Sequence, residues 1–246
     1  MVLKNINQHT SQQFNEELES IMSQIMTMGG FVERQFRDAV DALINRDIAL
    51  ADHVSEKDST INKMEVDIME DCVKIIAKRQ PTARDLRLLI VIIKVSAELE
   101  RVGDIARRLS KLTKKAVQEN HQPIPVDLGP IIKVSSETLH DVLNAFARMD
   151  LQEAVRLDQK EEEMDWEYET VIQSLTPYMM ENPSSISAAL LHLSCARAFE
   201  RIGDRCQNIC ESIVYFVKGE DIRYKGKKAI LIMLKEQFKE QNQDKC

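Results

Sequence analysis

The chain has 246 residues, 43% of them hydrophobic, with only 7 glycines and 6 prolines, a composition that fills one large core or two modest ones and favours long helices over sheets. Its formal net charge of −7 argues against a nucleic-acid protein, because phosphate binding needs clustered Lys and Arg. No apolar run reaches the ~18 residues of a membrane span, the opening MVLKNINQHT has no secretory core, and the five cysteines lack a disulfide-framework spacing, so a cytoplasmic, reduced chain is expected.

The first predicted helix carries Phe14, Leu18, Ile21, Ile25, Met28, Val32, Ala39 and Leu43 at helical spacing, with a kink expected at Gly29-Gly30. A second runs from about Ser55 to Lys78 on Ile61, Met64, Ile68, Cys72 and Ile75, and Gln80-Pro81-Thr82 ends it, since proline cannot continue a helix. In the third, Leu88, Ile92, Val95, Leu99, Val102, Ala106 and Leu109 alternate steps of four and three, the 3.5-residue period of helices packed side by side. Pro123, Pro125, Gly129 and Pro130 mark a linker. A fourth helix follows to about Met149, and a fifth lies on Met164, Tyr168, Val171, Leu175 and Tyr178 before Asn182-Pro183-Ser184. The sixth, from near Ser187, repeats the third at an offset of 100: Ala188, His192, Cys195, Phe199, Ile202, Cys206 and Ile209. The prediction is an all-α protein of two tandem, pseudo-symmetric three-helix bundles, over 7–120 and 126–222. The Lys-rich tail 223–246 has no counterpart in the first half and holds Ile230, Leu231, Leu234 and Phe238, enough for a short amphipathic helix.

Glu100-Arg101-Val102-Gly103-Asp104 returns as Glu200-Arg201-Ile202-Gly203-Asp204. Glu and Asp four positions apart share one helix face, where like charges repel unless a cation lies between them. The return of the pair at a long fixed offset points to an internal duplication with one acidic site per half. Folding the second helix back across Pro81 sets Asp58 level with Asp104 and Asn62 level with Glu100. The same reflection across Pro183 sets Glu161 near Arg205 and Asp165 near Arg201, hence beside Asp204 and Glu200. Carboxylates and amides without His or Cys suit Mg²⁺, Ca²⁺, Mn²⁺ or iron and disfavour a closed zinc site. By heptad position Glu100 and Asp104 lie outside the seam, so an ion would sit on the bundle's flank. The competing reading is a solvated acidic face paired with Lys and Arg.

Other motifs carry less. Glu137 and His140 make a single Glu-x-x-His pair, whereas di-iron bundles need two. Cys206 and Cys210 are four apart, but Cys206 and Cys195 fall on the seam and read as core, as does His192. Arg101 and Arg201 are expected in salt bridges. No phosphate loop, nucleophile motif or acid–base constellation is present.

TMGGFVE at 27–33, IIAKRQPTARDLRLL at 75–89, the paired ERVGD and ERIGD, and ERIGDRCQNICE at 200–211 together resemble the PhoU family over roughly residues 7–222. That resemblance implies two three-helix bundles and surface metal sites, mapping here to Glu100, Asp104, Glu200 and Asp204, with Asp58, Asn62, Glu161 and Asp165 on the facing helices. The ion it implies is a divalent or transition metal such as Mg, Mn, Fe or Zn. It further implies a non-enzymatic, homodimeric adaptor without a membrane span, peripheral through its partners. Such an adaptor represses phosphate-starvation genes when phosphate is ample, restrains phosphate uptake, and links the transporter ATPase PstB to the sensor kinase PhoR. The rival class is a metal-dependent enzyme or metal store on a helical bundle. Asn62 stands where the second half has Asp165, and Arg108 where it has Asn208, so the N-terminal site is expected to be the weaker one.

Overall fold

The computed structural model describes residues 12–158 and 160–222, and every regular element among them is helical. α1 spans Gln12–Asn45, α2 Ile48–Arg79, α3 Ala83–Gln118, α4 Gly129–Arg148, α5 Leu151–Asp158, α6 Glu161–Glu181 and α7 Ile186–Lys218, with a single 3-10 turn at Pro183–Ser185 before α7. The two expected bundles are present: α1 to α3 form one, and α4 to α7 the other. The tail beyond Ile222 lies outside the described residues.

The reversals follow local chemistry. Asp47 caps α2 by accepting a 3.0 Å bond from the Leu50 amide, which starts that helix at Ile48 rather than near Ser55. Gln80, just before Pro81, takes a left-handed conformation (φ 47°) and closes α2 through its N–H to Ile76. In the second half the counterpart of α2 is broken. Asp150 Oδ1 accepts from the Gln152 and Glu153 amides, both at 3.1 Å, and starts the additional short helix α5, whose Leu151 and Val155 pack on Val214 and Ile222.

The predicted seams are buried in both halves, but they belong to one core. Phe36 of α1 meets Phe199 of α7 edge to face with ring centroids 6.1 Å apart, and a single apolar cluster joins Leu18, Val32, Leu99, Val102, Ile202 and Cys206. α3 packs antiparallel on α7: Arg84 lies 5.3 Å over the Phe216 ring, and Glu98 meets Arg205. α1 runs through Gly29-Gly30 as one uninterrupted helix. Gly29 serves the packing of the halves instead, since a Cβ there would stand 3.0 Å from Leu143 Cδ2 on α4.

Candidate carboxylate sites on the helix flanks

The glycine inside each repeated motif explains how facing helices come close enough to share a site. A Cβ on Gly103 would lie 3.2 Å from Ile61 Cδ1 on α2, and one on Gly203 would lie 3.2 Å from Met164 Cγ on α6. Ile61 and Met164 occupy the same place in their halves, three residues after Asp58 and Glu161. The motif therefore carries its carboxylates on either side of the point where the two helices touch most closely.

In the N-terminal half, Asp58 of α2 faces α3 and is 8% exposed. Arg107 bridges the helices: its Nε lies 3.1 Å from Asp58 Oδ2, and its Nη2 donates to Asp104 Oδ1. Burial pushes the Asp58 carboxyl up, Arg107 pulls it down, and the neighbouring Asp104 pushes it up again. Glu100 is also raised, first by burial and then by the charges of Asp104, Glu65 and Asp58. Glu65, seven residues and two turns beyond Asp58, thus joins the cluster. Asn62 is exposed, and the carboxylates felt by Glu100 are the other three.

In the C-terminal half, Glu200 is 8% exposed, more deeply buried than its counterpart Glu100. Its Oε1 accepts a 2.8 Å bond from Arg197 Nη1, and that guanidinium lies 5.4 Å over the Tyr168 ring. Tyr168 stands where the first half has Glu65, and Arg197 where it has Ala97. Burial raises the Glu200 carboxyl, Asp204 adds to the rise, Arg197 opposes it, and Asp165 adds again. Glu161 accepts a 2.9 Å bond from Gln207 Nε2, and Gln207 is the counterpart of Arg107.

Two placements differ from the sequence expectation. Arg107, not Arg108, brings positive charge to the N-terminal cluster; Arg108 is exposed, and its charge is felt by Cys195 on α7. Asn208 turns its Nδ2 to Glu98 Oε2 at 3.1 Å and is no oxygen donor to the second site. Arg205, level with Glu161 in the folded-back register, pairs with Glu98 at 3.1 Å and Asp204 at 3.7 Å. Glu98 also takes a 2.6 Å bond from Arg101, and so clasps α3 to α7.

The remaining candidates resolve as core or surface pairs. Cys195, Cys206 and Cys210 are buried, and burial holds the Cys195 and Cys206 thiols at about 12. His192 Nε2 lies 2.9 Å from the Val126 carbonyl, and burial lowers its pKa. His140 binds Glu33 at 2.8 Å, while Glu137 pairs with Lys133 at 4.0 Å.

A metal ion fits these flanks by donor chemistry. Each half sets carboxylates on two facing helices, and in each one buried carboxylate oxygen, Asp58 Oδ1 or Glu200 Oε2, has no hydrogen-bond partner. Among the described residues no three His, Cys, Asp or Glu side chains converge as ligands, and Arg107 and Arg197 pair with Asp104 and Glu200. A cation at either flank would compete with those arginines for the carboxylates. No described helix is long and apolar enough to cross a membrane.

The PhoU domain matches the chain twice, over residues 25–113 and 130–213. The phosphate-specific transport system accessory protein PhoU of Escherichia coli (strain K12) is 53% identical over 222 residues, covering 90% of this chain and 92% of that protein. Its homolog in Pseudomonas putida is 43% identical over 226 residues, covering 92% of this chain and 88% of that protein. The crystal structure of PhoU from Pseudomonas aeruginosa superposes with a TM-score of 0.81 at 42% identity, covering 84% of this chain and all of that one. The regulatory protein PhoU of the phosphate transport system from Streptococcus pneumoniae gives a TM-score of 0.78 at 29% identity, covering 85% of this chain and 98% of that one.

Proposed function

Because this chain belongs to the PhoU family, we propose that it is a cytoplasmic accessory protein of a phosphate transport system. It acts as an adaptor without catalysis, joining the transporter ATPase to the sensor histidine kinase, restraining phosphate uptake and repressing phosphate-starvation genes when phosphate is ample. The observation that carries this reading is the 53% identity, across nine-tenths of both chains, to the Escherichia coli phosphate transport accessory protein. The geometry is compatible with it. The carboxylate clusters lie on helix flanks, with Asp104 and Asp204 side chains 45% and 40% exposed, so the long helical faces beside them are open to partners.

Within that reading each flank takes one divalent or transition metal ion. Asp58, Glu65, Glu100 and Asp104 hold the first, with the Asn62 amide at the rim. Glu161, Asp165, Glu200 and Asp204 hold the second. The ion supplies a charge-neutralising cross-link between two helices, and the chain's own residues do the positioning. Gly103 and Gly203 set the helix separation, and Arg107 and Arg197 balance the carboxylates when no cation is there. The test is genetic and direct. Deletion of the gene should make phosphate-starvation genes active in ample phosphate, and restoring the full chain should silence them again. Unchanged expression after deletion would refute the repressor role, and a metal-dependent turnover by the purified chain would favour the enzyme class instead.

A further inference from the structure

A cleft of ~420 Å³ opens where the linker 119–128 crosses from α3 to α4. Its volume lies within the range of small-molecule sites, which favour such junctions between domains. Ile44, 61% exposed, stands at the rim, and the buried Thr113 and Cys195 lie at the floor. The walls are mostly aliphatic, from Leu43, Ile124, Ile132 and Leu191. The linker is pinned across the opening: His192 Nε2 donates to the Val126 carbonyl at 2.9 Å, and the Gly129 amide donates to Asp127 Oδ1 at 2.8 Å. The cleft is therefore preformed.

The internal repeat shows what the same place holds when it is closed. Arg46 after α1 matches Met149 after α4: both take the left-handed conformation (φ 54° and 48°), and Asp47 and Asp150, next in the chain, cap the helices that follow. That register pairs Leu43 with Phe146, and the offset between α3 and α7 pairs Thr113 with Ile213 and Ala116 with Phe216. Phe146, Met149, Ile213 and Phe216 are all buried in the core. The cleft exists because the first half has a smaller side chain at three of these places and a charged one at the fourth.

The charged one, Arg46, sets the chemistry of the ligand. Its Nη2 donates to the Ala116 carbonyl at 3.2 Å, a neutral partner that leaves the guanidinium charge and its other donors for an anion. Burial lowers the pKa of His192, so that imidazole is neutral and adds no second cation. Asp127 is the carboxylate in the wall, and it opposes a second negative charge on whatever binds. Among the described lining residues there is no Phe, Tyr or Trp, which suits a flexible aliphatic chain better than a stacked ring.

We propose that this cleft binds one small aliphatic monocarboxylate, with its carboxylate on the Arg46 guanidinium and its hydrocarbon chain among Leu43, Ile124, Ile132 and Leu191. The test titrates the full chain with sodium decanoate, below its micelle concentration, by calorimetry. One equivalent should bind saturably and raise Tm. Decanol, which lacks the charge, should bind about tenfold more weakly, and decylammonium should not bind. Arg46→Met should weaken decanoate about tenfold and leave decanol unchanged. Ala116→Phe, which fills the cleft as Phe216 fills its counterpart, should abolish the binding of both. Ile44→Glu, at the exposed rim, sets a like charge beside the carboxylate and should weaken decanoate even if Ala116→Phe does not fold. No saturable binding at millimolar decanoate, more than one equivalent per chain, equal binding of decylammonium, or unchanged affinity in Arg46→Met or Ile44→Glu would each overturn the proposal.

Discussion

Replacing the motif glycines with alanine should give opposite results in the two halves. Alanine gains ~1 kcal/mol over glycine in a helix interior through backbone entropy. At position 103 the new methyl would meet Ile61 Cδ1 at 3.2 Å, Ile61 Cγ2 at 3.4 Å and Gln35 Oε1 at 3.2 Å. Ile61 is β-branched and buried, and Gln35 is held by a 3.0 Å bond to the Val54 carbonyl, so neither yields easily. Overpacking of this kind costs ~1–3 kcal/mol, which leaves Gly103→Ala destabilised by about 1 kcal/mol net. At position 203 the methyl would meet Met164 Cγ at 3.2 Å and its Cε at 3.5 Å, and an unbranched thioether can move aside. Gly203→Ala should therefore be neutral or more stable by up to ~1 kcal/mol. Urea unfolding with an unchanged slope reads both values. Equal losses in the two variants, or a stabilised Gly103→Ala, would refute the argument that helix contact at these glycines sets the spacing of the carboxylates.

Truncating the shared core, Leu99→Ala or Phe199→Ala, should cost roughly 2–5 kcal/mol in the same assay, as both are fully buried. In metal-free protein the raised carboxyl of Glu200 means that the folded state holds this proton more firmly than the unfolded one. Its contribution to stability therefore falls as pH rises from the ordinary glutamate range through the raised value, and Glu200→Gln should remove that part of the pH dependence of Tm. Calorimetric titration with Mn²⁺ or Mg²⁺ should show the tighter phase lost in Glu200→Ala/Asp204→Ala and largely kept in Glu100→Ala/Asp104→Ala. With Glu65 counted the two clusters have equal numbers of carboxylates and each meets an arginine, so the difference rests on Arg107, which pairs with both Asp58 and Asp104, where its counterpart Gln207 is neutral and Arg197 pairs with Glu200. Arg107→Gln should accordingly strengthen the weaker phase, and Gln207→Arg should weaken the tighter one.

What could be read in the sequence was what repeats locally. The seams of α3 and α7 and the doubled Glu-Arg-x-Gly-Asp core follow from spacing alone, and they set the helix pairs and the faces that meet. What escaped depends on rotation and on the other half. One residue turns a helix by 100°, so Arg107 and Arg108 have different surroundings although both look alike beside Asp104. Glu65 falls on the site face only at a step of seven, beyond the four-residue pairs that drew attention to Asp58 and Asn62. The orientation of Asn208 is fixed by packing between halves, as the Glu98 clasp shows, and the pairing of Glu200 depends on Arg197, which has no charged counterpart in the first half; no pattern within one helix encodes either. The start of α5 had one visible signal, the capping Asp150.

The adaptor reading is tested most directly by affinity capture of the full chain, cross-linked in cells grown with high and with low phosphate. A phosphate-transporter ATPase and a sensor histidine kinase should both be recovered, in amounts that change with phosphate. Recovery of neither, under either condition, would contradict the adaptor role.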